Sequence, residues 1–407
     1  MNYSEEDGPS SVIENKFILD ALASRLFPNV PFPDPSPDLD WHRLLSLLRL
    51  HRLSAHFYVL GRSKRVNWPA FFRESLRQDR YGLIIYSEQL LERIKPVLIA
   101  LQNAAIPVMV FKGWALIQTL YEGDYGQRVY SDIDILIRPK DVDTAEKILK
   151  SLDWHGSDEP RPGFIRYYYN AQAYYFFEHS EKGGPIYNLG FHWGLLHHPA
   201  YNPEQIDVYE LFKRGIPLKI AGLPVLEMSI DDYLVYSCAH IVLQHQTDNF
   251  LLPFYETAAL INKAGESIEW RKVGEYARQW RLIVPLVNVM KKIDEFWPGV
   301  VPSQAVTTIL GLKPSVGEQL LKLWFESSIS TNFDYFLTCL TMSGIRRRFS
   351  FIFETIFPNL GYMKINYGIP PISFWPLLYL RRFIHVLRLS FVQSKGKSFK
   401  RRKNHKI

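Results

Sequence analysis

The spacing of apolar residues changes twice along the chain, and each change predicts a different kind of element. From Trp41 to about Ala104, leucines and isoleucines recur with the spacing of amphipathic helices. Between residues 107 and 226, short apolar runs and strict alternation indicate β-strands. Helical spacing returns near Ser229 and continues to about Ser343. The pattern therefore predicts an α+β fold in which helical regions flank a small mixed sheet.

Five segments of the middle region have the length and flanking residues of strands. These segments are residues 107–111, 131–137, 173–178, 186–193 and 218–226. The third and fourth are joined through a glycine-rich turn, which predicts a β-hairpin. Helices are predicted over 114–122 and 142–152, the second with Asp141 as its N-cap. Further helices are predicted over 232–245, 253–264 and 270–280.

These elements divide the chain into five predicted regions. Residues 1–40 are first acidic and then rich in proline, which is typical of a poorly ordered lead. The other regions are N-terminal helices at 41–105, a core at 106–227, a helical domain at 228–345 and a C-terminal segment with a basic tail at 346–407.

Two carboxylates lie side by side on the predicted strand 131–137. Alternation places Ile133 and Ile135 on one face of the strand, and Asp132 and Asp134 on the other. Two ionised carboxylates this close repel each other unless a cation lies between them. Hard oxygen ligands suit Mg²⁺, so the strand predicts a magnesium site at these two residues. A solvated strand face is the alternative interpretation.

A phosphate-binding turn is predicted before this strand. The apolar strand 107–111 ends at Lys112-Gly113, and a helix follows. A glycine at a strand-to-helix junction lets phosphate oxygens approach the backbone and the helix N-terminus. Lys112 and Arg128 are the candidate phosphate partners, the first as a point charge and the second as a bidentate fork. A salt bridge is the alternative role for each side chain.

This order of strand, glycine, helix and paired-acid strand resembles the nucleotidyltransferase superfamily related to DNA polymerase beta and the kanamycin nucleotidyltransferases. The chain is more similar to the bacterial uncharacterised nucleotidyltransferase family, over about residues 40–265. That family carries Lys-Gly, a tyrosine, an arginine, Asp-x-Asp-x-Leu and a later Asp-x-His-Trp strand. The matching residues are Lys112-Gly113, Tyr121, Arg128, Asp132, Asp134, Leu136 and His192-Trp193.

The resemblance implies a nucleotidyltransferase core at 106–227 that binds an NTP, with ATP as the first candidate. Mg²⁺ on the catalytic pair Asp132 and Asp134 would hold the nucleotide, with its phosphates over Gly113. The implied reaction transfers a nucleoside monophosphate to an acceptor, either a small molecule, a protein or RNA. His192 is a candidate contact to phosphate or metal, although a packed histidine is the preferred alternative.

The chain departs from the family two residues before this histidine, where the family has an aspartate and the sequence has Gly190. Alternation places Gly190 and His192 on the face towards the paired acids. The third acid of the family helps to hold a second metal and activates the acceptor. Three interpretations stay open. Glu178 on the adjacent strand replaces the acid as a catalytic residue, the acceptor supplies its own base, or the chain is a non-catalytic nucleotide-binding or scaffold protein.

The histidines do not predict a zinc site. His240 and His245 are five residues apart, which places them on different faces of a helix. The family usually has a histidine-rich helix followed by an acid in the next helix, a position that Glu256 fits loosely. Ordinary helix packing is the preferred interpretation of Glu256.

Charge is concentrated at the C-terminus. The chain has 48 basic and 41 acidic residues, and residues 395–407 contain seven of the basic residues and none of the acidic ones. The remainder is neutral. With the apolar segment 371–392, this tail is typical of a chain that contacts an anionic membrane surface, and a packed helix with a solvated tail fits equally well.

The composition predicts a cytoplasmic protein. The sequence has only two cysteines, no signal peptide and no apolar run of the length of a membrane span. If the tail binds lipid, the expected location is peripheral, at the inner membrane surface.

Overall fold

The computed structural model describes residues 12–156, 172–178, 186–196, 206–244, 250–319, 339, 344–358, 360, 363 and 375–391. The chain divides into two compact units. The first contains the described residues up to Glu318, and the second contains those from Gln319 onward.

The first unit begins with helices, as the apolar stripes predict. They are α1 (Val12–Leu26), α2 (Trp41–Leu50), α3 (Ser54–Ser63) and α4 (Ala70–Asn103). Asp40 caps α2, because its carboxylate accepts hydrogen bonds from the amides of His42 and Arg43.

The helix α1 corrects the expectation of a poorly ordered lead over residues 1–40 for the part from Val12 to Leu26, whereas residues 1–11 lie outside the described residues. Its apolar side is buried, with Ile18 and Leu22 fully inaccessible to solvent. The indole of Trp297 donates a hydrogen bond of 3.1 Å to the carbonyl of Leu19, and the Asn262 amide donates to the carbonyl of Leu26. The proline-rich stretch, from Pro28 to Pro37, begins only after α1 and therefore does not interrupt the helix.

A mixed sheet forms the centre of the first unit, which confirms the predicted α+β fold. Its described strands are β1 (Met109–Phe111), β2 (Asp132–Leu136), β3 (His155–Gly156), β4 (Gln172–Glu178), β5 (Ile186–His192), β6 (Ile216–Ile220) and β7 (Leu223–Glu227). Their order across the sheet is β3-β4-β5-β2-β1-β7-β6. The pairs β2–β5 and β1–β7 are parallel, and the other pairs are antiparallel.

Two local predictions differ from the structure. The single strand expected at 218–226 is the hairpin β6–β7, which turns at Ala221 and Gly222 with positive φ at both residues. Apolar alternation continues through this turn and concealed it. Asp141 is not a side-chain cap, because its carboxylate accepts a hydrogen bond from Arg138 instead.

Helices connect several of the strands, and others come after the last strand in the sequence. They are α5 (Gly113–Thr119), α6 (Val142–Ser151), α7 (Val208–Arg214), α8 (Ile230–Gln244), α9 (Leu252–Ala264), α10 (Trp270–Gln279), α11 (Ile283–Phe296) and α12 (Ser303–Ala305), the last continued by a π-helical turn at Val306–Leu310. The second unit contains α13 (Ile345–Ile356) and α14 (Trp375–Phe391). Within the described parts of the chain, no helix is long and apolar enough to cross a membrane.

The central strands are anchored in the core of the first unit. All three residues of β1 are fully buried, as are Ile133 and Ile135 of β2. The helix α5 packs against both strands, and the ring of Tyr236 on α8 contacts that of Phe111 at 5.4 Å between centroids. Because these strands are fixed by packing, polar residues at their ends are held in defined positions.

Candidate functional site

Strand pairing brings the predicted site residues together. β1 runs antiparallel to β2 with Phe111 opposite Asp134, and Lys112 follows directly. β2 runs parallel to β5 with Gly190 opposite Asp134. His192 lies two residues further along β5, on the same face as Gly190 because side chains alternate along a strand. Three strands therefore contribute to one small polar region.

Asp134 is the centre of a buried cluster that also contains Lys112 and His192, here called the Asp134 cluster. The Lys112 ammonium donates a hydrogen bond of 2.8 Å to Asp134 Oδ1, and His192 Nε2 lies 2.7 Å from the same oxygen. The exposed fraction is 4% for Asp134 and 1% for His192. A buried carboxylate with two donors on one oxygen is fixed in orientation.

His192 in this cluster is neutral. Its burial and the neighbouring charge of Lys112 hold its pKa well below the ordinary value. Because a carboxylate oxygen that accepts from Lys112 can only accept from a second partner, we assign the ring proton to Nε2. His192 is thus a buried hydrogen-bond donor to Asp134, which is the packed, hydrogen-bonded alternative that the sequence analysis prefers for it.

Asp132 lies beside this cluster, and its surroundings disfavour the ionised form of its carboxyl group. It is partly exposed at the start of β2, and burial together with the charge of Asp134 raises its pKa to about 6. Lys112 and a hydrogen bond of 3.3 Å from the Ser131 hydroxyl act in the opposite direction and are outweighed. The ionised form of Asp132 therefore lacks sufficient compensation from the protein.

Asp132→Asn is expected to stabilise the protein at neutral pH and not in acid. The folded-state pKa of Asp132 lies above its ordinary value of 3.8, so the wild type loses stability as the pH rises from about 4 to about 6. The variant should exceed the wild type by about 2 kcal/mol at pH ~7 and match it near pH ~4. Chemical denaturation at several pH values measures the difference. Asp34→Asn, at an exposed aspartate, is the control. An equal increase in the free energy of unfolding of Asp132→Asn at pH ~4 and pH ~7 would contradict the raised pKa of Asp132.

Gly190 borders the space in which the family's third acid would stand. A Cβ atom at this position would overlap Asp134 Oδ1 and lie 3.0 Å from His192 Nε2. The hydrogen bond between Asp134 and His192 therefore runs directly past the glycine. An aspartate at position 190 would need space that the side chains of Asp134 and His192 already occupy.

Comparing Gly190→Ala with Gly190→Asp separates crowding from charge. Both variants carry the same Cβ, which should displace Asp134 or His192 and lower the free energy of unfolding by about 1–3 kcal/mol. Only the aspartate supplies a third oxygen ligand, so Gly190→Asp should bind Mg²⁺ and nucleotide more tightly than Gly190→Ala. Denaturation and calorimetry measure the two effects. Wild-type stability in the alanine variant would show that the close approach at Gly190 is absent.

Glu178 is not beside the paired acids. It lies on β4 opposite Ile186, whereas Gly190 lies opposite Tyr174. Four residues of strand separate the two positions, which is roughly 13 Å at about 3.3 Å per residue. The predicted hairpin is present, and its register places Glu178 four residues along β4 from the level of Gly190 and two residues from the level of Asp132.

Gly113 opens α5 directly beneath Arg128. A Cβ at Gly113 would overlap the Arg128 guanidinium, so a larger residue there would force the end of the Arg128 side chain to move. The preceding Lys112 has φ of 56° and ψ of −133°, a backbone conformation that L residues rarely adopt. The turn predicted to receive phosphates is therefore tightly packed, and Arg128 covers it.

Arg128 is engaged by Glu256 of α9. Its Nε and Nη2 donate hydrogen bonds of 2.6 and 3.0 Å to the two carboxylate oxygens, and the Tyr121 hydroxyl donates one of 3.1 Å to Oε1. Burial opposes the charge of Arg128, but Glu256 outweighs burial and raises its pKa. Arg128 therefore forms the salt bridge that the sequence analysis gives as its alternative role, and Glu256 uses its bidentate fork.

Glu256 binds a residue of the candidate site, Arg128, which the sequence analysis does not predict. The resemblance placed an acid at this position, but helix packing was preferred. The available signal was the joint match of Tyr121, Arg128 and Glu256 to the family, and the structure shows these three side chains in one hydrogen-bonded group.

The carboxylates of Asp132 and Asp134 could bind one Mg²⁺ if a bound ligand supplied the remaining oxygen ligands. Among the described residues, no group of three or more His, Cys, Asp or Glu side chains could hold a metal ion alone. Asp132 and Asp134 provide two carboxylates, and the raised pKa of Asp132 shows that added positive charge would be favourable there. Phosphate oxygens would complete the coordination of Mg²⁺, which prefers oxygen ligands.

The arrangement matches a known family. The family model described as "Uncharacterised nucleotidyltransferase" matches residues 37–298, more than half of the chain. The chain belongs to this family. The match contains every residue of the site, from Lys112 to Glu256, and confirms the resemblance that the motifs indicated.

Other comparisons are weaker. A solved structure, "Crystal structure of an antigenic nucleotidyltransferase-like protein from Paracoccidioides brasiliensis", is similar at 15% sequence identity and a TM-score of 0.33. The similarity covers 56% of this chain and 95% of that chain. No curated protein matches the chain.

Proposed function

We propose that this member of the nucleotidyltransferase family binds an NTP with Mg²⁺ and transfers a nucleoside monophosphate to an acceptor. ATP is the first candidate nucleotide. In this reaction a bond forms between an acceptor oxygen and the α-phosphorus, the bond from that phosphorus to the bridging oxygen breaks, and pyrophosphate leaves with the electron pair.

One observation carries the proposal. Two carboxylates stand side by side at the family's paired-acid position, and the pKa of Asp132 is raised to about 6 by burial and by Asp134. A structural strand face would gain stability from losing such a charge. A cation that arrives with the ligand would compensate this charge.

The residues of the site have separate roles in this proposal. Asp132 and Asp134 would hold Mg²⁺, which supplies neutralisation of the charge on the phosphates. Lys112 adds a positive charge beside Asp134, and His192 holds the Asp134 carboxylate in place by donating from Nε2. Arg128, fixed by Glu256, lies over the Gly113 turn and keeps a cation near the expected phosphate position.

The missing acid favours a phosphate acceptor over a hydroxyl. A hydroxyl must lose a proton to attack, and the family's third carboxylate is replaced by Gly190. On β4, Glu178 lies roughly 13 Å along the strand from the residue that pairs with Gly190. A phosphate monoester has a second pKa near ~6 and is already ionised at neutral pH. It therefore needs no base from the protein.

The test uses α-labelled nucleotides with two classes of acceptor. The full chain is incubated with Mg²⁺ and each of the four NTPs, together with a sugar phosphate panel or the corresponding unphosphorylated sugars. We expect a labelled product and pyrophosphate release only with phosphorylated acceptors. Products from the unphosphorylated sugars alone would contradict the acceptor assignment, and lack of any Mg²⁺-dependent nucleotide binding would contradict the proposed function.

A second candidate function is nucleotide binding without transfer. The observation that favours it is Gly190, together with the use of the neighbouring space by Asp134 and His192. This candidate predicts Mg²⁺-dependent NTP binding by calorimetry but no pyrophosphate release with cell extract as a source of acceptors. Pyrophosphate release that depends on Asp132 would exclude it.

A further inference from the structure

Exposed apolar side chains are concentrated in the second unit. Ten of the 21 large hydrophobic side chains that the described structure exposes lie in α13, in α14 and just after α13. These helices form a small fraction of the described chain, so single scattered apolar residues do not account for the concentration. They are Ile345, Phe349, Ile352, Phe353, Phe357, Leu360, Leu377, Leu380, Phe383 and Ile384.

The exposed residues of α13 form one stripe with arginines on both sides. Ile345, Phe349 and Phe353 are spaced by four residues and are 72%, 67% and 61% exposed. At about 100° per residue, Arg346 and Arg348 fall on opposite edges of this stripe. An apolar stripe edged by long cationic side chains is the pattern of a helix that lies in a membrane interface.

The helix α14 presents a second apolar face beside the first helix. Leu377, Leu380 and Ile384 recur with helical spacing and are exposed. The inner side of α14 is attached to α13, because the Arg382 guanidinium donates a hydrogen bond of 2.8 Å to the carbonyl of Thr355. The two helices therefore form one local body with two exposed apolar faces.

The charge of this part of the chain is strongly one-sided. Residues 344–407 contain 14 Lys and Arg, and Glu354 is their only acid. The rest of the chain then has 34 basic and 40 acidic residues and is net negative. The positive charge thus extends beyond the tail 395–407 to the helices that carry the apolar faces.

We infer that α13 and α14 form a docking surface for an anionic lipid bilayer. The apolar faces enter the boundary between headgroups and acyl chains, while the flanking arginines contact lipid phosphates. Neither helix can span a bilayer, so the contact is with one leaflet. A second copy of the chain would bring the same positive charge against itself, and a nucleic acid would leave the apolar stripe exposed to water.

This assignment differs from attachment by the tail alone. Long-range attraction from the tail is screened within a Debye length of ~8 Å at physiological salt, whereas burial of apolar side chains is not screened. A chain truncated after Val392 should therefore still sediment with anionic vesicles. Its binding should be weaker at low salt and less sensitive to added salt.

The experiment compares matched pairs of exposed apolar residues. Full-length protein is sedimented with vesicles of phosphatidylglycerol and phosphatidylcholine, and with phosphatidylcholine alone. Phe349→Ser/Phe353→Ser should weaken partition to the anionic vesicles about tenfold or more. The control Tyr81→Ser/Ile85→Ser changes an equally spaced exposed pair on α4 and should bind as the wild type does. Far-UV circular dichroism checks that each variant is folded.

Several outcomes would overturn the inference. Wild-type partition of Phe349→Ser/Phe353→Ser, or equal binding to neutral and anionic vesicles, would each contradict it. Loss of vesicle binding on truncation after Val392 would assign attachment to the tail alone. A dimer that forms without lipid and dissociates in Phe349→Ser/Phe353→Ser would assign the face to a second copy, and salt-sensitive RNA binding lost in the same variant would assign it to nucleic acid.

Discussion

Replacing Asp132 by alanine is expected to abolish Mg²⁺-dependent nucleotide binding without destabilising the fold. The variant removes one of the two carboxylates that would hold the cation, and loss of a direct ligand should weaken affinity more than about a hundredfold. It also removes a charge that burial and Asp134 disfavour, so the free energy of unfolding should stay equal or rise. Binding and stability therefore change in opposite directions.

Asp134→Ala should behave differently although it removes the neighbouring carboxylate. Lys112 and His192 both donate to Asp134 Oδ1, and the Lys112 side chain is only 15% exposed. The substitution leaves this ammonium without its partner in a mostly buried position, which should cost about 3 kcal/mol. Nucleotide binding should be lost together with stability, unlike in Asp132→Ala.

Calorimetry with each NTP, with and without Mg²⁺, and denaturation of the free protein measure both effects. The exposed Asp34→Ala serves as the control for general loss of charge. If both site variants bound nucleotide as the wild type does, the paired acids would not form the site. If Asp134→Ala were as stable as Asp132→Ala, the Asp134 cluster would not exist as described.

Local periodicity was enough to predict the paired acids. Residues at i and i+2 of a strand share a face whatever the strand pairs with, so Asp132 and Asp134 were placed correctly from β2 alone. The partner of Asp134 could not be obtained in this way. Lys112 reaches it only because β1 pairs with β2 in one register, and register depends on contacts between separate strands.

The same distinction limits what the sequence predicts about two other acids. The hairpin β4–β5 was predicted from its two apolar segments, but the position of Glu178 depends on how the strands align, which the intervening loop does not reveal. Glu256 is 128 residues from Arg128, and no local pattern links them. Only the family resemblance relates these two residues, and it does not show that their side chains are in contact.

Breaking the pair of Arg128 and Glu256 is expected to destabilise the first unit strongly. The side chains are 14% and 3% exposed, and two hydrogen bonds of 2.6 and 3.0 Å join them. Glu256→Gln would leave the Arg128 charge buried without its counter-charge. Removing one member of a buried ion pair typically costs about 3–5 kcal/mol, because the desolvated charge that remains is no longer compensated. The midpoint of chemical denaturation should fall accordingly.

A variant without either charge shows whether the cost arises from the uncompensated charge of Arg128. Arg128→Met/Glu256→Leu removes both charges and keeps apolar volume, so it should be more stable than Glu256→Gln.

Tyr121 also donates to Glu256, and Tyr121→Phe measures that hydrogen bond separately, at about 1 kcal/mol. The matched control is Arg77→Met, which breaks an exposed pair with Glu74 and should cost less than about 1 kcal/mol. If Glu256→Gln lowered the free energy of unfolding no more than Arg77→Met does, the ion pair would not stabilise the protein. Glu256 would then not be the residue that fixes Arg128 over Gly113.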